Sequence, residues 1–528
     1  MPFATTHTVS LQGSVGHLIE VQADVSAGVV GMTVVGRPDA TLNEARDRVR
    51  MAIANSMLVW PSTRRVTILL APADLPKSGT HFDLAMAVAI KAAEALVPAE
   101  ALQHTVFIGE LTLSGGLRSV PGVLPMVMAA AQRGARRVFV PEPQVREAAM
   151  VPGMEVFGVR SLAQVFSVLN GDDVPEAPPV APMSGARLLS WRGQHQRAET
   201  DLADLVGMAD TKYAVEVAAA GGHHLLLSGP KGAGKTTIAE RIPSVLPDLT
   251  AEEALELTAI HSLAGALEPS DDLIRRPPYY APHHDASKAS LLGGGTGRVR
   301  PGAVSRAHCG VLFLDEFPLF RTDVVEALRE PLESGAVTIA RGEEISTFPA
   351  RGMVVLAANP CPCGDYSPSV PSSRCTCHEA ARRGYRQKLT GPIADRIDVV
   401  RHVEPPPRHG ASDAFALRET SERVRRRVTL ARERQAERYA GRGFRLNSQV
   451  PGHLLESDWP LEAPGRSCID DELYAGRLTR RGAVRVHRLA LTVSDLRGLE
   501  RPGLEEVRVA LHLRTGEPLQ LPALGRSG

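Results

Sequence analysis

One stretch of this sequence restricts the possible folds more than any other. Residues 223–242 read HHLLLSGPKGAGKTTIAERI, which is an apolar run, a glycine-rich turn and the start of a helix. Within it, Gly229 to Thr236 match the pattern G-x-x-x-x-G-K-[ST] at every defined position. Such a turn joins a buried strand to the N-terminus of a helix, and the chain from about 201 to 405 continues as short apolar runs between longer helical stretches. The pattern predicts a doubly wound α/β domain with a parallel sheet.

The same turn predicts a nucleotide site that uses ATP and Mg²⁺. Its backbone N–H groups would surround phosphates, Lys235 would meet the outer phosphates and the Thr236 hydroxyl would bind Mg²⁺. The residues assigned to the nucleotide are Gly229, Pro230, Lys231, Gly232, Ala233, Gly234, Lys235, Thr236 and Thr237.

Two later segments supply the groups that hydrolysis requires. GVLFLDEF (310–317) is expected to form an adjacent buried strand that delivers Asp315 to Mg²⁺ and Glu316 to the attacking water. MVVLAAN ends at Asn359, whose amide could position that water or sense the γ-phosphate; the alternative is a polar strand cap. In GPIADRID, Arg396 could reach a neighbouring subunit's nucleotide as an arginine finger, although a lone arginine is more often part of an ordinary ion pair.

Composition and apolar patterning argue against a disordered chain and against a membrane protein. With 43% hydrophobic, 23% charged and 4% aromatic residues, the 528-residue chain resembles ordinary globular proteins, and its net charge of +1 indicates no global attraction to nucleic acid. The first residues lack a signal-peptide pattern, and no stretch reaches eighteen uninterrupted apolar residues. We therefore expect a cytoplasmic protein without a membrane partner.

Breaks rich in proline divide the chain. We predict an α+β domain at 1–170, a linker at 171–200, the ATPase domain at 201–405, a helical region at 406–505 and a tail at 506–528. Strands are expected at Val66–Leu70 and Val106–Ile108, and a helix at Asp83–Leu96. Beyond residue 410, charged helices are expected at about 412–440 and 470–497.

Several long motifs then point to one family. EVAAAGGHHLLLSGPKGAGKT, PGAVSRAHCGVLFLDEF, AANPCPCG and GPIADRID in the middle domain, and LAPADLPKSGTHFDLAMA before it, resemble the YifB/ComM family of Mg-chelatase-like AAA+ ATPases. The resemblance implies an AAA+ core, an N-terminal domain with the Lon-protease-like, ribosomal S5-type fold and a C-terminal helical lid. It further implies a hexameric ring that uses ATP for branch migration of DNA junctions in natural transformation. The alternative is a chelatase- or chaperone-like ATPase that remodels a protein partner.

The resemblance also assigns residues. It gives Asp315 and Glu316 to metal and water, Asn359 to the sensor and Arg396 to a finger acting on a neighbour. It places a second sensor arginine at Arg481 in the lid, where Ala483 and Val484 replace the family's usual aromatic residue and histidine.

The Lon-like domain raises the question of peptidase activity. At the position of the Lon nucleophile, this chain has His81, and Ser78 and Thr80 are out of register. An imidazole cannot replace the alcohol of a Ser-Lys pair. We expect no peptidase activity and a structural or DNA-facing role.

Two further features stay open at this point. Cys361, Cys363, Cys375 and Cys377 form two C-x-C pairs that could bind a structural Zn²⁺ or could be four reduced thiols. Residues 334–351 read as a hairpin, which in the family lies towards the ring's pore, so Arg341 could touch a DNA backbone. Its alternative is a solvated hairpin with Glu343 and Glu344 compensating the charge.

Overall fold

The computed structural model describes most of the chain. The described residues are 3–181, 183, 200–295, 299–341, 344–366, 375–390, 393–404 and 419–519. Most of the predicted linker and residues 405–418, which include the start of the predicted helical region, lie outside these ranges. Among the described helices, none is long and apolar enough to cross a membrane.

The N-terminal domain is built on a mixed seven-stranded sheet. The strands before the ATPase domain are β1 Phe3–Gln12, β2 Val15–Ser26, β3 Gly31–Val35, β4 Arg65–Ala71, β5 Thr105–Phe107, β6 Glu110–Leu111, β7 Leu117–Arg118, β8 Arg137–Pro141 and β9 Glu155–Val159. The sheet order is β3-β4-β2-β1-β5-β8-β9, and β6 pairs with β7 separately. Strand β3 pairs in parallel with β4, and β1, β5, β8 and β9 pair in parallel in that order. The pairs β4–β2 and β2–β1 are antiparallel.

Helices cover this sheet on both faces. They are α1 Ala40–Asn55, α2 Asp83–Ala93, α3 Ala99–Leu102, α4 Val123–Gln132, α5 Val145–Ala149 and α6 Leu162–Asn170, with 3-10 turns at Thr80–Phe82 and Glu142–Gln144. Helix α2 is buried along most of its length because it packs on β1 and β2. Residues 84–90 of this helix form an unbroken apolar run, which is typical of a central helix rather than a surface one. The expected strands form within one residue of their predicted bounds, and the expected helix forms but ends at Ala93 rather than at Leu96.

The ATPase domain has the expected parallel sheet. Its described strands are β10 Leu225–Ser228, β11 Tyr279–Tyr280, β12 Gly293–Gly294, β13 Arg300–Pro301, β14 Val311–Leu314, β15 Ala336–Arg341, β16 Glu344–Pro349, β17 Met353–Ala358 and β18 Val399–His402. The five-stranded sheet has the order β11-β14-β17-β10-β18, and all of its pairs are parallel. The expected hairpin over 334–351 is β15–β16.

Helices lie on both faces of the parallel sheet. They are α7 Ala209–Gly221, α8 Lys235–Val245, α9 Ala251–Ala264, α10 Lys288–Leu292, α11 Ala303–Arg306, α12 Thr322–Ala327, α13 Arg329–Ser334 and α14 Glu379–Thr390. Short 3-10 turns occur at Leu202–Asp204, Phe317–Leu319 and Ala394–Arg396.

The C-terminal region is helical and packs directly on the ATPase domain. It contains α15 Ser421–Arg438, α16 Gly452–Asp458, α17 Ala463–Tyr474, α18 Arg480–Arg497 and α19 Leu504–Thr515, with a 3-10 turn at Asn447–Gln449. Thr479 caps the N-terminus of helix α18, since its hydroxyl accepts the N–H of Gly482 at 3.0 Å, and Gly498 caps the C-terminus with φ +74°. Its buried face, which includes Val486 and Leu489, shares one hydrophobic core with Leu225 of β10.

Helix α19 begins at Leu504 and ends at Thr515, so most of it lies in the stretch 506–528 that the sequence assigned to a tail. Val507, Val509, Ala510 and Leu513 are buried in the same core as α18. The helical region therefore extends to Thr515, since these apolar side chains complete its packing. The remaining domain boundaries stay predictions.

The N-terminal and ATPase domains share a hydrophobic core. Val123 and Val127 of α4 pack in one cluster with Leu263 of α9 and Phe348 of β16. The turn between β1 and β2 meets the hairpin as well, because Ser14 N and Oγ donate to the carbonyl oxygen of Thr347 at 3.3 and 3.1 Å. The hairpin is thus fixed at its base from both domains.

Candidate active site

Glycines shape the turn between β10 and α8. Gly234, with φ +89°, precedes the first residue of α8, and Gly232 has φ +76°, so both use backbone conformations that favour glycine. A Cβ on Gly229 would lie 2.2 Å from the carbonyl oxygen of Val403, which excludes a side chain there. The turn therefore places the N-terminus of an eleven-residue helix at the edge of the sheet.

Lys235 is buried at the centre of this turn. Its Nζ donates to the carbonyl oxygens of Gly229 and Pro230 at 2.6 and 2.9 Å, and to Asn359 Oδ1 at 3.1 Å. Burial lowers the pKa of Lys235, while the carboxylates of Asp315 and Glu316 oppose that shift. The structure thus brings the predicted lysine and the predicted sensor amide into direct contact.

The residues predicted to hold Mg²⁺ also meet. Thr236 Oγ1 donates to Asp315 Oδ2 at 2.9 Å, and the other Asp315 oxygen accepts the Glu316 N–H at 2.8 Å. A hydroxyl and a carboxylate are hard oxygen ligands of the kind that Mg²⁺ prefers beside phosphates. Thr236 and Thr237 are exposed at the start of α8, so a nucleotide can approach them. The donor set fits Mg²⁺ and ATP.

The strand order differs from the expectation in one respect. The strand that ends before Asp315 was expected next to β10, but β17 lies between β14 and β10. Asn359 follows β17 directly, so it lies at the end of the strand between β10 and β14. The side chains still meet because all three strands end at the same edge of a parallel sheet.

Glu316 has a neighbour that the sequence reasoning missed. Glu316 adopts φ +49°, and its Oε2 lies 3.9 Å from His284 Nδ1. His284 lies shortly after β11, which pairs with β14. The sequence signal that could have identified it is a histidine soon after the end of a strand, in the segment APHHDAS. This imidazole stands where it can influence the orientation of the predicted catalytic carboxylate.

Arg396 and Arg481 share a cleft. Its volume is about 880 Å³, and its lining contains no residue of 229–237. Arg396, whose guanidinium is mostly buried, is ion-paired with Glu333 of α13. The lining of this cleft does not connect either arginine to the phosphate loop of the same chain, and their roles stay predictions.

A buried charge network joins the lid to this cleft. Asp398 accepts the backbone N–H of His224 at 3.1 Å and is ion-paired with Arg485 of α18. Burial favours the neutral acid, but His223, whose Nδ1 lies 3.6 Å from Asp398 Oδ2, and the charge of Arg485 hold the pKa of Asp398 well below its usual range. Burial lowers the pKa of His224 to about 4. The sequence reasoning missed this network because its members lie far apart in the chain.

The four cysteines form one cluster. Cys361 Sγ lies 3.2 Å from Cys363 Sγ and 3.7 Å from Cys375 Sγ, and the sulfurs of Cys363 and Cys375 are 3.6 Å apart. All four sulfurs, including that of Cys377, lie within 4.8 Å of one another. A hydrogen bond from the backbone of Asp365, followed by one with Cys361, lowers the pKa of Cys363 to about 6.

The Lon-like segment places its residues in structural contacts. His81 is buried and its Nε2 donates to the carbonyl oxygen of Val9 at 2.7 Å, while Thr80 hydrogen-bonds with Glu110. Lys77 is buried too, with Nζ donating to the carbonyl oxygen of Pro72. The absence of peptidase activity stays a prediction.

Models of one protein family match three stretches of the chain. The model described as magnesium chelatase, subunit ChlI, matches residues 201–410. The model described as subunit ChlI of Mg-chelatase matches 21–144, and that of the ChlI C-terminal region matches 418–514.

Similar proteins match nearly end to end. An uncharacterized protein of Mycobacterium tuberculosis is 44% identical over 514 residues, which cover 97% of this chain and 99% of that protein. YifB of Escherichia coli is 38% identical over 497 residues, and the competence protein ComM of Haemophilus influenzae is 36% identical over 499, each covering 94% of both chains. The chain belongs to the YifB/ComM family.

Membership of the YifB/ComM family confirms the predicted fold class. The middle domain is an Mg-chelatase-type AAA+ ATPase domain, and a helical region follows it. A distant similarity to Lon protease 2 of Bacillus subtilis, 26% identical over 31% of each chain, agrees with the Lon-like N-terminal domain. The AAA+ family implies ATP and Mg²⁺ as cofactors, in agreement with the donor set around Lys235.

Proposed function

We propose that this YifB/ComM family member is a cytoplasmic motor that assembles as a hexameric ring and uses ATP hydrolysis to move along DNA. The substrate would be branched or single-stranded DNA, and the reaction would be branch migration of recombination junctions. The observation that carries the ATPase part is the 2.9 Å contact between Thr236 and Asp315, with Glu316 beside it.

Each side chain of the site has a separate role in the proposed hydrolysis. Lys235 would neutralise phosphate charge, Thr236 and Asp315 would hold Mg²⁺, and Glu316 would accept a proton from the attacking water. Asn359 contacts Lys235 and is placed to sense the outer phosphate. Arg396 completes the site of a neighbouring subunit, which agrees with its position in a cleft whose lining contains no residue of 229–237.

The DNA part of the proposal rests on the relatives. ComM of Haemophilus influenzae, which matches over 94% of both chains, is named a competence protein. A second candidate function is the remodelling of a protein partner, and the three matches to Mg-chelatase models favour it. Both functions use the same ATPase site.

ATPase assays with and without DNA separate the two candidates. The motor is expected to hydrolyse ATP faster when a four-way junction or single-stranded DNA is added, and salt should suppress this increase because phosphate contacts dominate nonspecific binding. The Glu316→Gln variant controls for contaminating ATPases. No binding of DNA by ATP-bound protein at low salt would favour the protein-remodelling function.

A further inference from the structure

The loop that follows Asn359 carries a compact group of thiols. Cys361 is fully buried, although the surrounding sequence, NPCPCGDY, offers little apolar material for a core. The sulfurs of Cys361, Cys363 and Cys375 are 3.2 to 3.7 Å apart, and that of Cys377 lies in the same group. A tetrahedral Zn²⁺ with Zn–S bonds of about 2.3 Å holds its sulfurs roughly 3.8 Å apart. The cluster therefore has the dimensions of a mononuclear site.

Those dimensions also argue against a multinuclear cluster. A multinuclear iron–sulfur cluster binds its thiolates to different iron atoms and would separate the sulfurs further than this group does. Four thiolates around one ion favour Zn²⁺ over Mg²⁺ or Ca²⁺, which prefer oxygen ligands.

The thiol group touches the candidate nucleotide site on the phosphate-loop side. Only Pro360 separates Cys361 from Asn359, the residue whose amide contacts Lys235. Gly364 has φ +85°, and a Cβ there would lie 2.8 to 3.0 Å from the side-chain carbons of Lys231 in the phosphate loop. An ordered cysteine loop therefore helps to hold Asn359 and Lys231 in position.

Helix α14 links the thiol group to the remaining catalytic parts. It begins two residues after Cys377, and its Tyr385 hydrogen-bonds with the backbone of Asn359. The guanidinium of Arg382 lies over the ring of Tyr366, 4.6 Å from its centroid, which ties the helix to the cysteine loop. The same helix packs on the turn after Glu316 and on the turn that contains Arg396.

We propose that Cys361, Cys363, Cys375 and Cys377 bind one Zn²⁺ and that this ion holds Asn359, the phosphate loop and α14 in their catalytic arrangement. The ion is structural: it takes no part in hydrolysis, and its four thiolates leave no open position for water. Without it, a loop that cannot build a core has to be ordered by protein contacts alone. The coupling to catalysis rests on the proposed ATPase function, whereas the metal site does not.

Metal analysis by mass spectrometry tests the site directly. Full-length protein purified without chelators should contain about one zinc per chain. Cys377→Ser should lose most of it, whereas Cys377→His should retain it, because histidine is also a zinc ligand. Cys468→Ser, which changes a cysteine outside the cluster, is the matched control and should keep its zinc. Zinc-free wild-type protein, iron in place of zinc, or full zinc content in Cys377→Ser would overturn the site.

Hydrogen exchange and ATPase assays test the coupling. In Cys377→Ser, peptides covering 225–240 and 353–366 should exchange faster than in wild type. The kcat should fall about tenfold, as expected when a group that positions catalytic residues is lost. Cys377→His should restore both. Unchanged exchange in zinc-depleted protein would overturn the coupling, even if the metal site stands. Zinc-loaded wild type without ATPase activity would instead contradict the proposed function.

Discussion

At the scale of single residues, the candidate site separates nucleotide binding from water activation. Lys235 contacts the loop carbonyls and Asn359, whereas Glu316 stands beyond Asp315. Lys235→Ala should therefore abolish ATP binding, because it removes the charge that meets the phosphates. Glu316→Gln should bind ATP with nearly wild-type affinity and hydrolyse it at least about a hundredfold more slowly, since it loses only the general base. Titration with a fluorescent ATP analogue and steady-state ATPase rates measure both effects. Equal affinity of Lys235→Ala and wild type would contradict the site.

His261 gives the molecule a defined response to acid. Its Nε2 lies 3.2 Å from the carbonyl oxygen of Arg306, and burial lowers its pKa to about 4. The unfolded chain takes up this proton near pH 6.5 but the folded one does not, so the stabilisation is present above pH 6.5 and is lost as the pH falls towards 4. The free energy of unfolding that His261 contributes above pH 6.5 is reduced by about 2 kcal/mol at pH 5.

Comparison with a variant isolates that contribution. Asp83, whose pKa burial raises to about 6, acts in the opposite direction, so wild type alone is ambiguous. His261→Gln can keep the hydrogen bond without titrating. Its thermal midpoint should therefore fall less than that of wild type between pH 7 and pH 5. Parallel falls in both proteins would show that His261 does not titrate as described.

At the scale of elements, sequence patterns predicted most of the parts but not their order. The apolar run before Asp315 and the strand before Asn359 follow from local composition, and both form where expected. The position of β17 between β14 and β10 could not be inferred, because strand order depends on contacts between distant segments. The packing of α19 was missed for the same reason, since its buried side chains meet a core assembled from α18 and β10.

The β15–β16 hairpin is the element on which the DNA proposal can be tested. Val337 and Phe348 anchor its base in buried clusters, and Arg341 lies exposed at the end of β15. If DNA phosphates meet this hairpin, Arg341→Ala should reduce DNA-stimulated ATPase several-fold and leave basal ATPase unchanged, because the nucleotide residues are untouched. Arg426→Ala removes an exposed arginine from α15 and should change neither rate. A loss of basal activity in Arg341→Ala would indicate a structural role instead.

At the scale of the whole molecule, the proposed ring makes each site dependent on two subunits. A Lys235→Ala subunit retains Arg396, and an Arg396→Ala subunit retains its phosphate loop. Each variant alone should be inactive, but mixing them should restore some interfaces in which an intact loop meets an intact arginine. ATPase rates across mixing ratios measure this recovery. Full-rate hydrolysis by a monomer, established by light scattering, would rule out a shared site.

The central claim is that hydrolysis at the site around Lys235 and Glu316 drives the movement of DNA. The most direct measurement follows arm exchange in a synthetic four-way junction labelled with a fluorophore and a quencher. Wild type with ATP should exchange the arms, whereas Glu316→Gln should bind the junction without exchanging them. Failure of wild type to move a junction that it binds while hydrolysing ATP would contradict the claim, as would equal exchange by Glu316→Gln.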